Sequence, residues 1–155
     1  MMKVKFKRLN EKAVMPTKAH PTDAGFDLTA TSRTVDEFGN IVYGTGLALE
    51  IPEGYVGLLF PRSSICKKNL ALSNAVGVCD CHFRGEVMFK FKPTPKMWTE
   101  HGEAVSGLPL EPTAYAEGER IGQLVIMPIP EIEFEEADEL TETDRGAGGY
   151  GSTGI

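Results

Sequence analysis

Among its 155 residues the chain has only three cysteines and a single tryptophan. Cys66, Cys79 and Cys81 are an odd number with no secretory context, so reduced thiols of a cytoplasmic protein are expected rather than a disulfide framework. Long apolar runs are missing, and none approaches the ~20 residues that span a bilayer. The N-terminal MMKVKFKRLN alternates lysine with apolar side chains in place of an apolar leader, so no signal peptide is expected. No basic stripe marks the footprint of a nucleic-acid polymer. Cys79-Asp80-Cys81-His82 invites a metal reading, but a structural zinc site draws on two separated ligand pairs and there is no second pair here. On a strand, Cys79 and Cys81 would point the same way, as small core fillers do. The length suits one domain, and such a chain buries about 68–70% of its unfolded surface without any staple.

The net charge of −6 is unevenly spread. Eight of the 22 acids lie in EIEFEEADELTETD (131–144), which leaves 16 bases against 14 acids elsewhere. That segment reads as a solvated connector or charged strand edge. The rest is mildly basic, which is compatible with a small anionic ligand.

What the chain does have is strand periodicity. Val4 and Phe6 alternate with Lys3, Lys5 and Lys7, and Val87, Phe89 and Phe91 alternate with Met88, Lys90 and Lys92. Leu47 and Leu49 make a short run, followed by Tyr55 to Phe60. The apolar run from Ile121 to Ile129 suits a strand buried on both faces. Turn signals at Phe38-Gly39-Asn40, Pro52-Glu53-Gly54 and Glu117-Gly118-Glu119 separate them. Ser63 to Asn69 alone reads as a short helix, with Ser63 or Ser64 as its N-cap. The fold class is all-β, a sandwich or barrel. Residues 93–118, with Trp98, read as a long surface loop. The glycine-rich end has no apolar face to bury and should be mobile when alone. Its Arg145, Tyr150, Ser152 and Thr153 are nevertheless the parts of a phosphate clamp with a stacking lid.

Five segments then line up: AGFDLTA (24–30), PRSSICKKN (61–69), GVCDCHFRGE (77–86), GERIGQLVI (118–126) and RGAGGYGSTG (145–154). In this order they resemble the five motifs of the trimeric dUTPases, the deoxyuridine triphosphate nucleotidohydrolases. The resemblance implies a distorted jelly-roll-like β-barrel with one short helix over 1–130. An acidic connector (131–144) and a mobile C-terminal arm (145–155) would follow. It implies hydrolysis of dUTP to dUMP and pyrophosphate by water attack on the α-phosphorus, which keeps uracil out of DNA and supplies dUMP for thymidylate synthesis. A homotrimer with shared active sites and a Mg2+ cofactor are implied with it.

The resemblance also assigns residues. Asp80 would orient and deprotonate the water, a task that suits an ionised carboxylate. Asn74 and the backbone around Ala75 to Val78, Gly77 and Val78 included, would form a hairpin that reads uracil, with Phe83 as a plate against the deoxyribose. Arg62, Ser63, Ser64 and Gln123 would meet the phosphates, and Gln123 in an apolar run needs a partner or ligand in any case. Tyr150 would stack on the base while Arg145, Gly151, Ser152 and Thr153 close over the terminal phosphates. Asp27 would stand near the metal through water. Phe83 sits where the family usually has tyrosine, and His82 where an acid is common. Two rivals stand beside this reading: a dCTP deaminase of related fold, against which the intact motif set with Asp80 and the glycine-rich arm argues, and a catalytically silent nucleotide-binding regulator.

Overall fold

Alternating polarity does organise the chain. In the computed structural model, which describes residues 2–94 and 114–149, Val87, Phe89 and Phe91 are buried along one face of β8 (Glu86–Pro93) while Met88, Lys90 and Lys92 are exposed. The other strands are β1 (Lys5–Arg8), β2 (Phe26–Thr29), β3 (Ser32–Val35), β4 (Ile41–Glu50), β5 (Tyr55–Pro61), β6 (Leu70–Leu72), β7 (Gly77–Cys79) and β9 (Arg120–Pro128). They form two antiparallel sheets. One has the order β1-β4-β8-β6 with β3 also on β4, and the other runs β2-β9-β5-β7. Both sheets feed one core: Tyr43, Leu47, Phe89 and Phe91 come from the first, Leu28, Leu59, Ile121 and Leu124 from the second. This is the expected all-β, jelly-roll-like arrangement. Among the described residues no strand pairing joins the sheets into a closed barrel.

Gly122 shows how tightly the sheets meet. A Cβ there would fall 2.1 Å from the ring of Phe89 on the opposite sheet, so only glycine fits β9 against that aromatic layer.

Four local expectations need correction. The short helix is a 3₁₀ turn, Ser63–Lys67, and its cap position is Arg62 in extended conformation, so neither serine caps it. β9 is buried on both faces only in its first half. β2 begins opposite Leu124, so the later residues pair with β5 alone, and Met127 is exposed. The turn at Asn74–Val76 is not a paired hairpin, because β6 belongs to one sheet and β7 to the other. β1 is an edge strand whose Phe6 is exposed in the single chain, although Val4 packs on the core.

Candidate active site

The four-stranded sheet gathers one group of expected residues. Asp27 on β2 is opposite Gln123 on β9, and Gln123 is opposite Phe60 on β5. Directly opposed residues share a face, and Arg62, two residues past Phe60, returns to it. The Arg62 Nε donates to Asp27 Oδ1 at 2.9 Å. A register shift between Leu28 and Thr29 brings Arg120 opposite Thr29, onto the same face, where its Nη1 donates to Asp27 Oδ2 at 2.8 Å. A carboxylate with only 14% of its side chain exposed thus holds two guanidinium groups in place. Gly25 clears the way for Gln123, since a Cβ there would meet Gln123 Oε1 at 2.2 Å. Among the described residues the Gln123 amide makes a single long bond, 3.4 Å to the Pro61 carbonyl.

Beyond this pair of ion pairs opens a cleft of about 390 Å³. Arg62, Ser64, Lys67, Lys68 and Arg120 line it, against the one carboxylate of Glu119. Such a surplus of cations beside a hydroxyl suits a polyphosphate.

The second group lies elsewhere. Asn74, Gly77, Val78 and Phe83 line a cleft of about 300 Å³ floored by Leu59 and Phe89. Its rim is irregular backbone. Ala75 has φ of +59°, and the Val76 N–H donates to the Asn74 carbonyl at 2.6 Å. The Phe83 ring lies over Gly85, where a Cβ would come within 2.6 Å of it. Asp80 starts the turn that delivers Phe83, its carbonyl accepting from the Phe83 N–H at 3.0 Å, and it is exposed. Behind it Cys79 is buried, and burial followed by the Asp80 charge pushes its thiol pKa up. Cys79 is therefore an inert core filler, as expected; Cys81 is half-buried against the core and Cys66 exposed. No group of three metal-ligating side chains occurs among the described residues.

The two groups do not meet within one chain. Cys79 is opposite Gly57 on β5, so Asp80 lies one step further back while Arg62 lies five steps forward. At ~3.3 Å per residue they stand roughly 20 Å apart along the sheet. Arg145 is exposed and donates from Nε to the Gly148 carbonyl at 2.9 Å within its own loop. Tyr150, Gly151, Ser152 and Thr153 lie outside the described residues, as does Trp98. Arg120 was not among the residues singled out from the sequence. Its only signal is its place in GERIGQLVI, where it reads as an ordinary solvent-facing base.

Fold and clefts together define an all-β protein with one cleft sized for a nucleoside and a separate cationic one. The family model for dUTPase matches residues 11–96 and 110–154. The deoxyuridine 5'-triphosphate nucleotidohydrolase of Corynebacterium glutamicum is 38% identical over 153 residues, covering 97% of this chain and 94% of that protein. The Staphylococcus bacteriophage 80alpha dUTPase, solved with dUPNHPP, superposes with a TM-score of 0.79 at 30% identity over the whole of both chains. A mutant dUTPase from phage phi11 of S. aureus, whose structure reveals the coordination of a structural Mg(II) ion, gives 0.67 at 30% identity, covering 89% of this chain and 98% of that one. The chain belongs to the dUTPase family and is a dUTP diphosphatase, a hydrolase of dUTP. The deaminase and silent-regulator readings are not favoured.

Proposed function

We propose that the chain hydrolyses dUTP to dUMP and pyrophosphate at a site completed between copies of itself. Asp80 is the general base for the attacking water, beside a nucleoside cleft formed by Asn74, Gly77, Val78 and Phe83. Arg62, Ser63, Ser64 and Gln123 of another copy bind the triphosphate, and Arg145, Tyr150, Gly151, Ser152 and Thr153 of the arm close over it. The observation that carries this reading is the clustering of the four nucleoside-contacting residues in one cleft, with Asp80 opening the turn that seats Phe83.

In this reading the single chain provides the working parts. The exposed Asp80 accepts the proton of the water, while the fixed donors and acceptors around Gly77 and Val78 select the base edge. The apolar floor and the Phe83 plate favour a deoxyribose by shape and disfavour burial of a 2′-hydroxyl. Arg62, oriented by Asp27, offers a fixed fork to phosphate oxygens.

The separation of Asp80 from Arg62 supports a homotrimer with shared sites, because one triphosphate cannot span both within a chain. A second support is the segment 131–135, Glu-Ile-Glu-Phe-Glu. It carries no strand, and its Phe134 is 96% exposed. Its alternation of acids with apolar residues complements the Lys-Val-Lys-Phe-Lys edge at 3–7.

The family acts with a divalent cation, and we infer magnesium here, carried by the phosphate oxygens it neutralises. Among the described residues no three metal-ligating side chains cluster, and each oxygen of Asp27 accepts from one arginine. Each carboxylate oxygen keeps a second lone pair, so the contact through water that the resemblance implies for Asp27 is compatible with both ion pairs. Among the described residues no helix is long and apolar enough to cross a membrane; the reduced thiols suit the cytoplasm.

The test is pyrophosphate release from dUTP and from dCTP by the full chain and by Asp80→Asn. Turnover of dUTP alone, reduced about 10²–10⁴-fold in the variant with nucleotide binding retained, is expected. Unchanged turnover in Asp80→Asn would remove Asp80 from the chemistry.

A further inference from the structure

Tyr115 is a buried side chain that the account above does not use. Its backbone is pinned to β4 by Tyr43, whose hydroxyl accepts from the Tyr115 N–H at 2.8 Å and donates to its carbonyl at 3.1 Å. The ring packs edge-on against Tyr43 and tilted on Phe91, with centroids 6.0 and 5.7 Å away. On it rests the Lys68 ammonium, 4.5 Å from the ring centroid. The residue is only 2% exposed, and its hydroxyl has no hydrogen-bond partner among the described residues.

Leaving a buried hydroxyl unpaired is unfavourable, so its retention needs a cause. The surroundings suggest one, because Tyr115 lines the cationic cleft with Arg62, Ser64, Lys68 and Arg120. Burial raises the phenol pKa, while nearby Ser64 and the Arg62 charge temper the rise, so the group is a neutral O–H donor at physiological pH. Ser64 is the hydrogen-bonding neighbour that lowers the phenol pKa, but it makes no bond of good geometry to the hydroxyl. A point charge such as Lys68 attracts an anion without fixing its orientation, whereas a phenol whose ring is held by two aromatic neighbours donates within a fixed ring plane.

We propose that Tyr115 is a substrate-binding residue, its hydroxyl donating to a phosphate oxygen of the triphosphate held by Arg62 and Ser64. This rests on the reading of the cationic cleft as the phosphate site. The contact belongs to the pyrophosphate part of the nucleotide, so it serves dUTP and pyrophosphate but not dUMP.

The experiment compares the full chain with Tyr115→Phe, which keeps the ring packing and the Lys68 contact, and with Arg62→Gln. Affinity for pyrophosphate and dUMP is measured by calorimetry, KM and kcat by dUTP turnover, and apo stability by melting. For Tyr115→Phe, pyrophosphate affinity should fall about tenfold and KM for dUTP rise by a similar factor, with dUMP affinity kept within about twofold. The apo melting temperature should stay level or rise, because an unpaired buried hydroxyl has been removed. A variant stabilised alone but weaker with pyrophosphate is not the behaviour of a structural hydrogen bond. Unchanged pyrophosphate affinity in Tyr115→Phe beside a loss in Arg62→Gln overturns the role of Tyr115 and leaves the phosphate site standing. No loss in either variant overturns the site itself. A drop in apo stability with unchanged affinity means that the hydroxyl bonds within the protein, which also overturns the proposal.

Discussion

Two chains that are each inactive should restore activity when mixed. Asp80→Asn removes the proposed base, and Arg62→Gln removes the guanidinium proposed to grip phosphate. The residues stand roughly 20 Å apart along the β5–β7 register, whereas the phosphorus atoms of one triphosphate lie within a few ångströms of each other. On the proposed roles, a working site therefore takes its Asp80 from one copy and its Arg62 from another. With random assembly at equal amounts, about half the sites receive a native Asp80 and, independently, about half a native Arg62, so about a quarter carry both. Below KM the base substitution should cost about 10²–10⁴-fold and the loss of a charge-assisted phosphate contact at least about tenfold. The background is thus low against that quarter. Arg62→Gln should keep its fold, because Asp27 retains the 2.8 Å bond from Arg120. The assay is pyrophosphate release after co-refolding over a range of ratios, and recovered activity should follow the product of the two fractions, peaking at equal amounts. Mixtures no more active than the separate variants at every ratio would show that base and phosphate grip act within one chain, and the register argument would be wrong.

Gly122→Ala should destabilise the fold by about 1–3 kcal/mol, since the new methyl would fall 2.1 Å from the buried Phe89 ring; an unchanged denaturant midpoint would refute the reading of the inter-sheet contact. At the β3–β4 turn the Asn40 side chain, helped by Lys90 and two backbone N–H groups, lowers the Asp36 pKa to about 2. A depressed carboxylate stabilises the fold above the unfolded value of ~3.9 and loses that contribution as pH falls towards the folded value. Asn40→Ala should therefore raise the Asp36 pKa towards the ordinary value, as followed by NMR titration, and move acid unfolding to higher pH. An Asp36 that titrates normally in the unmodified chain would contradict this.

How much of this was legible in the sequence depends on whether the cause is local. The faces of β8 were, because burial there alternates with every residue from Val87 to Phe91. Half of β4 was not. Its Gly44-Thr45-Gly46 stretch lacks the apolar pattern because Gly44 clears Glu86 and Ser32, while Gly46 takes φ of +67° against Asn10. The motif resemblance supplied Asp27, Arg62 and Gln123, but it could not show that Asp27 spends both oxygens on arginines 35 and 93 residues away. Arg120 escaped notice because its reach depends on a register shift at Leu28/Thr29, a property of pairing rather than of composition. The uneven spread of the net charge of −6 was legible, since the acids concentrate in one exposed segment while the cationic cleft has one carboxylate among its bases. What no single segment contains is the geometry that makes the five necessary together. The sheet holding Gln123 and Arg62 at one end carries Asp80 towards the other, so the proposed roles need more than one copy of the chain. On that proposal the demand for an assembly lies in the strand register rather than in any one motif.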